Sequence, residues 1–63
     1  MRVLLKFEAR DTGKRPSVVE MEFIPQAGDL LLNERNKKNE VIKVVHTPGD
    51  PEQDVILELR EKL

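Results

Sequence analysis

From Arg2 to Ala9 apolar and polar residues alternate, with Val3, Leu5, Phe7 and Ala9 on one side and Arg2, Lys6 and Glu8 on the other. Only Leu4 interrupts the pattern. Successive side chains of a strand point to opposite faces of a sheet, so this period predicts a half-buried strand. Asp11-Thr12-Gly13-Lys14 then supplies turn chemistry. From Ser17 to Ile24 the alternation returns, with Val19, Met21 and Phe23 set against Glu20 and Glu22. Together the two runs predict a β-hairpin with a loop longer than two residues, and both Phe7 and Phe23 fall on its core side.

Pro25-Gln26-Ala27-Gly28-Asp29 breaks the pattern, because proline lacks a ladder donor and glycine favours turns. A helix starting at Asp29 would need apolar residues three and four places on, where Glu34, Arg35, Lys37 and Lys38 stand. Leu30-Leu31-Leu32 therefore reads as a short strand, and the polar stretch from Asn33 to Asn39 as a second hairpin loop. Val41, Ile42, Val44 and Val45 form a β-branched run within Glu40 to Thr47, which predicts a central strand covered on both sides. Thr47-Pro48-Gly49-Asp50-Pro51 is a loop. Residues 51–63 admit two readings. Val55, Leu57 and Leu59 alternate with Glu58 and Arg60, as in a strand. The alternative to that strand takes Asp50 as N-cap and Pro51 at the first helical position, starting a helix that carries Val55, Ile56, Leu59 and Leu63 on one face.

Short links between successive elements predict an antiparallel order. The expected fold is a single all-β domain over residues 1–63, a five-stranded antiparallel barrel or curled meander. A four-stranded sheet with a C-terminal helix is the alternative.

Composition narrows the field. With 63 residues, a core built on Val, Ile and Leu, and only Phe7 and Phe23 aromatic, the chain sits near the lower size limit for a stable domain. No cysteine is present to staple it, so self-association is a natural source of extra burial. The same lack of cysteine, and of any apolar run approaching a membrane span, leads one to expect a soluble, cytoplasmic protein without a membrane partner.

Charge is unevenly spread although the net value is −1. In an up-and-down sheet the first and third loops share one end. These bring Arg10, Lys14 and Arg15 together with Arg35, Lys37 and Lys38, whereas Asp29, Asp50, Glu52 and Asp54 gather at the other end. A basic pole of this kind is suited to the phosphates of a nucleic acid, bound weakly and without regard to sequence. With both phenylalanines on core faces, no base-stacking platform is expected.

Catalytic constellations are missing from the sequence. Gly13, Gly28 and Gly49 are dispersed rather than gathered into a phosphate loop. His46 is the sole histidine, and its spacing from Thr12, Ser17 and Thr47 builds no triad. Asp50, Glu52, Asp54, Glu58 and Glu61 match the acidic positions of a calcium loop, yet Val55 stands where that loop needs glycine. The chain is therefore expected to be non-enzymatic, with no cofactor and no metal.

What remains is interaction. Leu4, Val18, Ile24, Leu31 and Ile56 lie off the principal inward faces, and Leu4, Val18 and Leu31 are the candidate protein-contact patch. The first and last strands would add open edges to which another chain could pair.

The stretch Ile24-Pro25-x-x-Gly28-Asp29-Leu30, followed by Val41-Ile42-x-Val44-Val45-His46 and Val55-x-Leu57-x-Leu59, resembles small, uncharacterised bacterial and phage-type proteins with an SH3-like barrel. That resemblance spans about residues 21 to 60 and implies a Pro-x-x-Gly-Asp turn leading into a strand, with a hairpin after it. Peptide-binding SH3 grooves use Tyr and Trp, which this chain lacks. The reading is thus a small binding or assembly module working through protein–protein contacts or self-association, with nucleic-acid binding through the basic end as the alternative.

Overall fold

A computed structural model of the chain describes residues 1–8, 15–32 and 38–62. Strands β1 (Arg2–Phe7), β2 (Ser17–Glu20), β3 (Leu30–Leu32), β4 (Lys38–His46) and β5 (Val55–Glu61) form one sheet in the order β2-β1-β5-β4-β3. The sheet curls into a half-barrel, consistent with a five-stranded SH3-like architecture, and no helix occurs among the described residues.

The C-terminal segment is a strand. Val55, Leu57 and Leu59 are all buried while Ile56, Glu58 and Arg60 are half-exposed. Only a two-residue period puts the first three on one face; a helix would scatter them around its circumference.

Three neighbouring pairs are antiparallel, but β1 runs parallel to β5, so the sheet is mixed rather than a uniformly antiparallel meander. The cause is apolar matching. Aligning Val3 with Val55 and Leu5 with Leu57 places two strongly alternating strands side by side at the centre. A simple meander would leave both on its margins. The first and last strands are therefore interior, and the open edges belong to β2 and β3.

Strand β4 resolves its unbroken apolar run with a bulge between Val41 and Lys43. The extra residue, Ile42, resets the alternation, so Val41 faces Leu59 and Val44 faces Leu57 although three positions separate them. This strand lies second from the edge; β5 is the central one.

Val3, Val41, Val55, Leu57 and Leu59 make up the fully buried core, against which Leu5, Phe7, Val19, Met21, Ile24, Leu31 and Val44 pack. Ile24 is thus a core residue rather than a surface one. Its segment, residues 21–29, carries the chain from β2 at one edge to β3 at the other. Four strand spacings of ~4.8 Å must be crossed, within reach of nine residues at ~3.3 Å each. Two turns shape the crossing and the β4–β5 loop. Gly28 (φ 97°) and Gly49 (φ 84°) adopt left-handed conformations that a side chain would strain. Asp29 N–H donates to Gln26 O at 3.0 Å, and Asp50 N–H to Thr47 O at 3.2 Å, closing each turn.

Leu57, wholly buried in the central strand, is the keystone of the core. Leu57→Ala is expected to cost about 2–5 kcal/mol of unfolding free energy. Lys6→Ala, on the exposed side of β1, should change it by less than about 0.5 kcal/mol. Urea denaturation followed by circular dichroism measures both.

Candidate interaction surfaces

Strand register assembles the outer face row by row. Val18 on β2 pairs with Leu4 on β1, Leu4 with Ile56 on β5, and Ile56 with Val45 on β4. An aliphatic band thereby crosses four strands, most exposed at Val18, where 49% of the residue meets solvent. The next row is charged: Glu58 lies between Lys6 and Lys43. One step further, Arg60 Nη2 donates to Glu40 Oε1 at 2.7 Å, and Glu8 adds a second negative charge beside the guanidinium. The hydrogen bond from Arg60, aided by the nearby charge of Lys62, holds the Glu40 carboxyl below its ordinary value. Cross-strand charge alternation of this sort stabilises a sheet face modestly and keeps it solvated.

Of the expected contact residues, Leu4 and Val18 do meet on this outer face. Leu31 does not join them: it pairs with Asn39 at the opposite side of the sheet and packs inward against the core. The triad is split because Leu31 has the parity of the concave face. Beside it, Asn39 is buried with its Oδ1 lacking a hydrogen-bond partner among the described residues.

Phe23 overturns its expected placement most clearly. It lies 82% exposed, not in the core. Strand β2 stops at Glu20, and the chain bends at residues 22 and 23 to begin its crossing, which ends the alternation that had pointed Phe23 inward. With Met21, Glu22, Ile24, Pro25, Asp29 and Leu31 it lines an open cavity of about 440 Å³. The sequence signal was Pro25 two positions on: proline has no N–H to give a ladder, so a strand does not run on through it.

Strand directions alternate along the chain even though neighbours do not follow chain order. The β2–β3 and β4–β5 connections therefore share one end of the half-barrel, and the segments joining β1 to β2 and β3 to β4 depart from the other. Glu20, Glu22, Asp29, Asp50, Glu52 and Asp54 collect at the first end, balanced among the described residues by the amino terminus and Arg2. Several of these carboxylates are engaged with main chain. Asp54 Oδ2 accepts from Arg2 N–H at 2.9 Å, Asp29 Oδ2 from Gln26 N–H at 2.8 Å, and Asp50 Oδ1 from Glu52 N–H at 2.8 Å. Asp50 Oδ2 also accepts from Gln53 Nε2 at 2.9 Å. Asp50 and Asp54, the leading members of the calcium-loop pattern, thus act as turn and ladder caps. No group of three or more potential metal ligands gathers among the described residues. At the opposite end Arg15 and Lys38 are exposed, while Arg10, Lys14, Arg35 and Lys37 lie outside the described residues. His46 ends β4, exposed.

No family model, curated protein or solved structure matches the chain in the comparisons made with each.

Depression of the Glu40 carboxyl gives a signed pH prediction. Its stabilising contribution is fully present above the ordinary value of 4.5 and is lost as pH falls through the lowered folded value. Glu40→Gln should therefore be less stable than the parent at neutral pH. The gap should close in acid, as read from urea midpoints measured across the pH range.

Proposed function

We propose that the protein is a small, non-enzymatic binding module acting through protein–protein contacts at the acidic end of the half-barrel. The observation that carries this reading is Phe23, largely solvent-exposed in a shallow, open depression lined by Met21, Ile24, Pro25 and Leu31 together with the acids Glu22 and Asp29. A lone exposed aromatic beside a concave apolar surface is the anatomy of an interaction hot spot. The partner it suits is a protein segment that inserts an apolar side chain into the cavity and sets Lys or Arg against the surrounding carboxylates. The aliphatic band through Val18 and Leu4 offers a second contact strip on the outer face. A cysteine-free chain is in keeping with a cytoplasmic setting.

Phe23→Ser is the direct test, since a residue so exposed contributes little to the core. Cross-linking in native cell extract should recover specific proteins with the parent that the variant fails to retain, and added salt should weaken the capture. Identical captures by both forms, or none by either, would reject the reading.

A second reading rests on the alternation of strand directions, which sends both Lys- and Arg-rich connections from one end, where Arg15 and Lys38 are exposed. That end would contact nucleic-acid phosphates. Binding to a short single-stranded DNA should then be measurable at low ionic strength and fall steeply as salt rises. Fluorescence anisotropy that stays flat at low salt removes it.

A further inference from the structure

The two open edges of the sheet differ in chemistry. Proteins blunt exposed edges with charge and proline, because unpaired N–H and C=O groups recruit other strands. The β2 edge is defended in this way, with Pro16 just before it and Glu20 at its end. The β3 edge is the shorter, Leu30-Leu31-Leu32 with Asp29 before it; its own three residues carry no charge, and Leu30 is 49% and Leu32 64% exposed.

Hydrogen-bond alternation fixes what that edge presents. Val41 N–H donates to Asp29 O at 2.9 Å and Gly28 N–H to Val41 O at 2.7 Å, so the next exchanging pair is Leu31 with Asn39. Leu30 and Leu32 therefore turn their main-chain groups outward. An edge that pairs antiparallel with a copy of itself about a twofold axis sets residue i against j and j against i, and here every such contact is leucine on leucine, with no charge brought against its like. With Leu31 on the axis, Leu30 faces Leu32 of the second copy and exchanges both main-chain bonds with it, as does the symmetric pair. The exposed leucine side chains then cover one another on the outer face.

We propose that β3 is a self-pairing edge through which two copies of this chain join as an antiparallel, twofold-symmetric dimer with a continuous sheet. The proposal rests on the reading of the chain as a binding and assembly module and names a second copy as one occupant. A twofold axis normal to the sheet keeps both concave faces on the same side, and Leu31 lines the Phe23 cavity. The two cavities therefore flank the axis, and the dimer presents them in tandem. An edge of three residues buries little area, which makes the dimer weak, with a midpoint on the order of 0.1 mM.

Analytical ultracentrifugation of the full chain over ~10 µM to 1 mM should show the mass rise from one subunit to two. Leu30→Lys/Leu32→Lys changes only exposed side chains and should weaken association tenfold or more, while Val18→Lys on the β2 edge leaves it intact. Non-hydrogen-bonded antiparallel neighbours sit ~4.5 Å apart at Cα, within disulfide range, so Leu31→Cys should form a covalent dimer on mild oxidation and Val18→Cys should not. A mass that stays at one subunit to millimolar concentration overturns the proposal. So does a doubly charged variant that dimerises like the parent, or cross-linking at Val18→Cys instead of Leu31→Cys. A folded, monomeric Leu30→Lys/Leu32→Lys protein that still shows Phe23-dependent capture supports both readings. Dimerisation without any Phe23-dependent capture defeats the partner reading alone.

Discussion

The parallel pairing of β1 with β5 holds this molecule together. It joins an N-terminal hairpin to a C-terminal three-stranded unit, and without it neither half has a core. Val3 meets Val55 and Leu5 meets Leu57 along the seam, so its formation brings fully buried side chains of both halves, Val3 with Val55 and Leu57, into one core. The ladder is secured at both ends. At its start Asp54 N–H donates to Arg2 O at 2.8 Å while the Asp54 carboxylate accepts from Arg2 N–H; at its finish Glu8 N–H donates to Leu59 O at 3.0 Å. The residues that meet stand 52 positions apart, Val3 with Val55, which makes this a fold dominated by long-range closure.

That one pairing dictates the rest of the topology. With β1 and β5 at the centre, β2 and β3 are forced to opposite margins, and the chain between them must cross the sheet. The crossing drives Met21 and Ile24 into the core and swings Phe23 out of it. The cavity and the two open edges are thus consequences of a single connection. The surfaces proposed above for interaction lie where the half-barrel stays unclosed.

Much of this was legible in the sequence because it depends on local period. Alternation marked β1, β5 and the start of β2; the Gly-Asp and Pro-Gly turns stand where Gly28 and Gly49 take positive φ. The apolar residues on either side of Lys43 read as a strand covered on both sides, whereas a bulge at Ile42 accounts for them and the strand lies second from the edge. Charge segregation between the ends was also legible, since it needs only that consecutive strands reverse direction. The acidic half of it is seen at the end shared by the β2–β3 and β4–β5 connections, whereas Arg10, Lys14, Arg35 and Lys37 of the basic half lie outside the described residues.

Neighbour choice and burial of particular residues were not legible, for a common reason. A two-residue period states which side chains share a face but carries no information about which strand lies alongside, or where a strand stops being a strand. Leu31 continued one face on paper and occupies the other side of the sheet from Leu4 and Val18. Phe23 followed Val19 and Met21 in period, yet the bend after Glu20 turned it to solvent. The chain alone determines five extended segments and their polarity. Which edges remain unpaired, and so where another chain can attach, emerges only when the apolar faces of β1 and β5 compete for the same core.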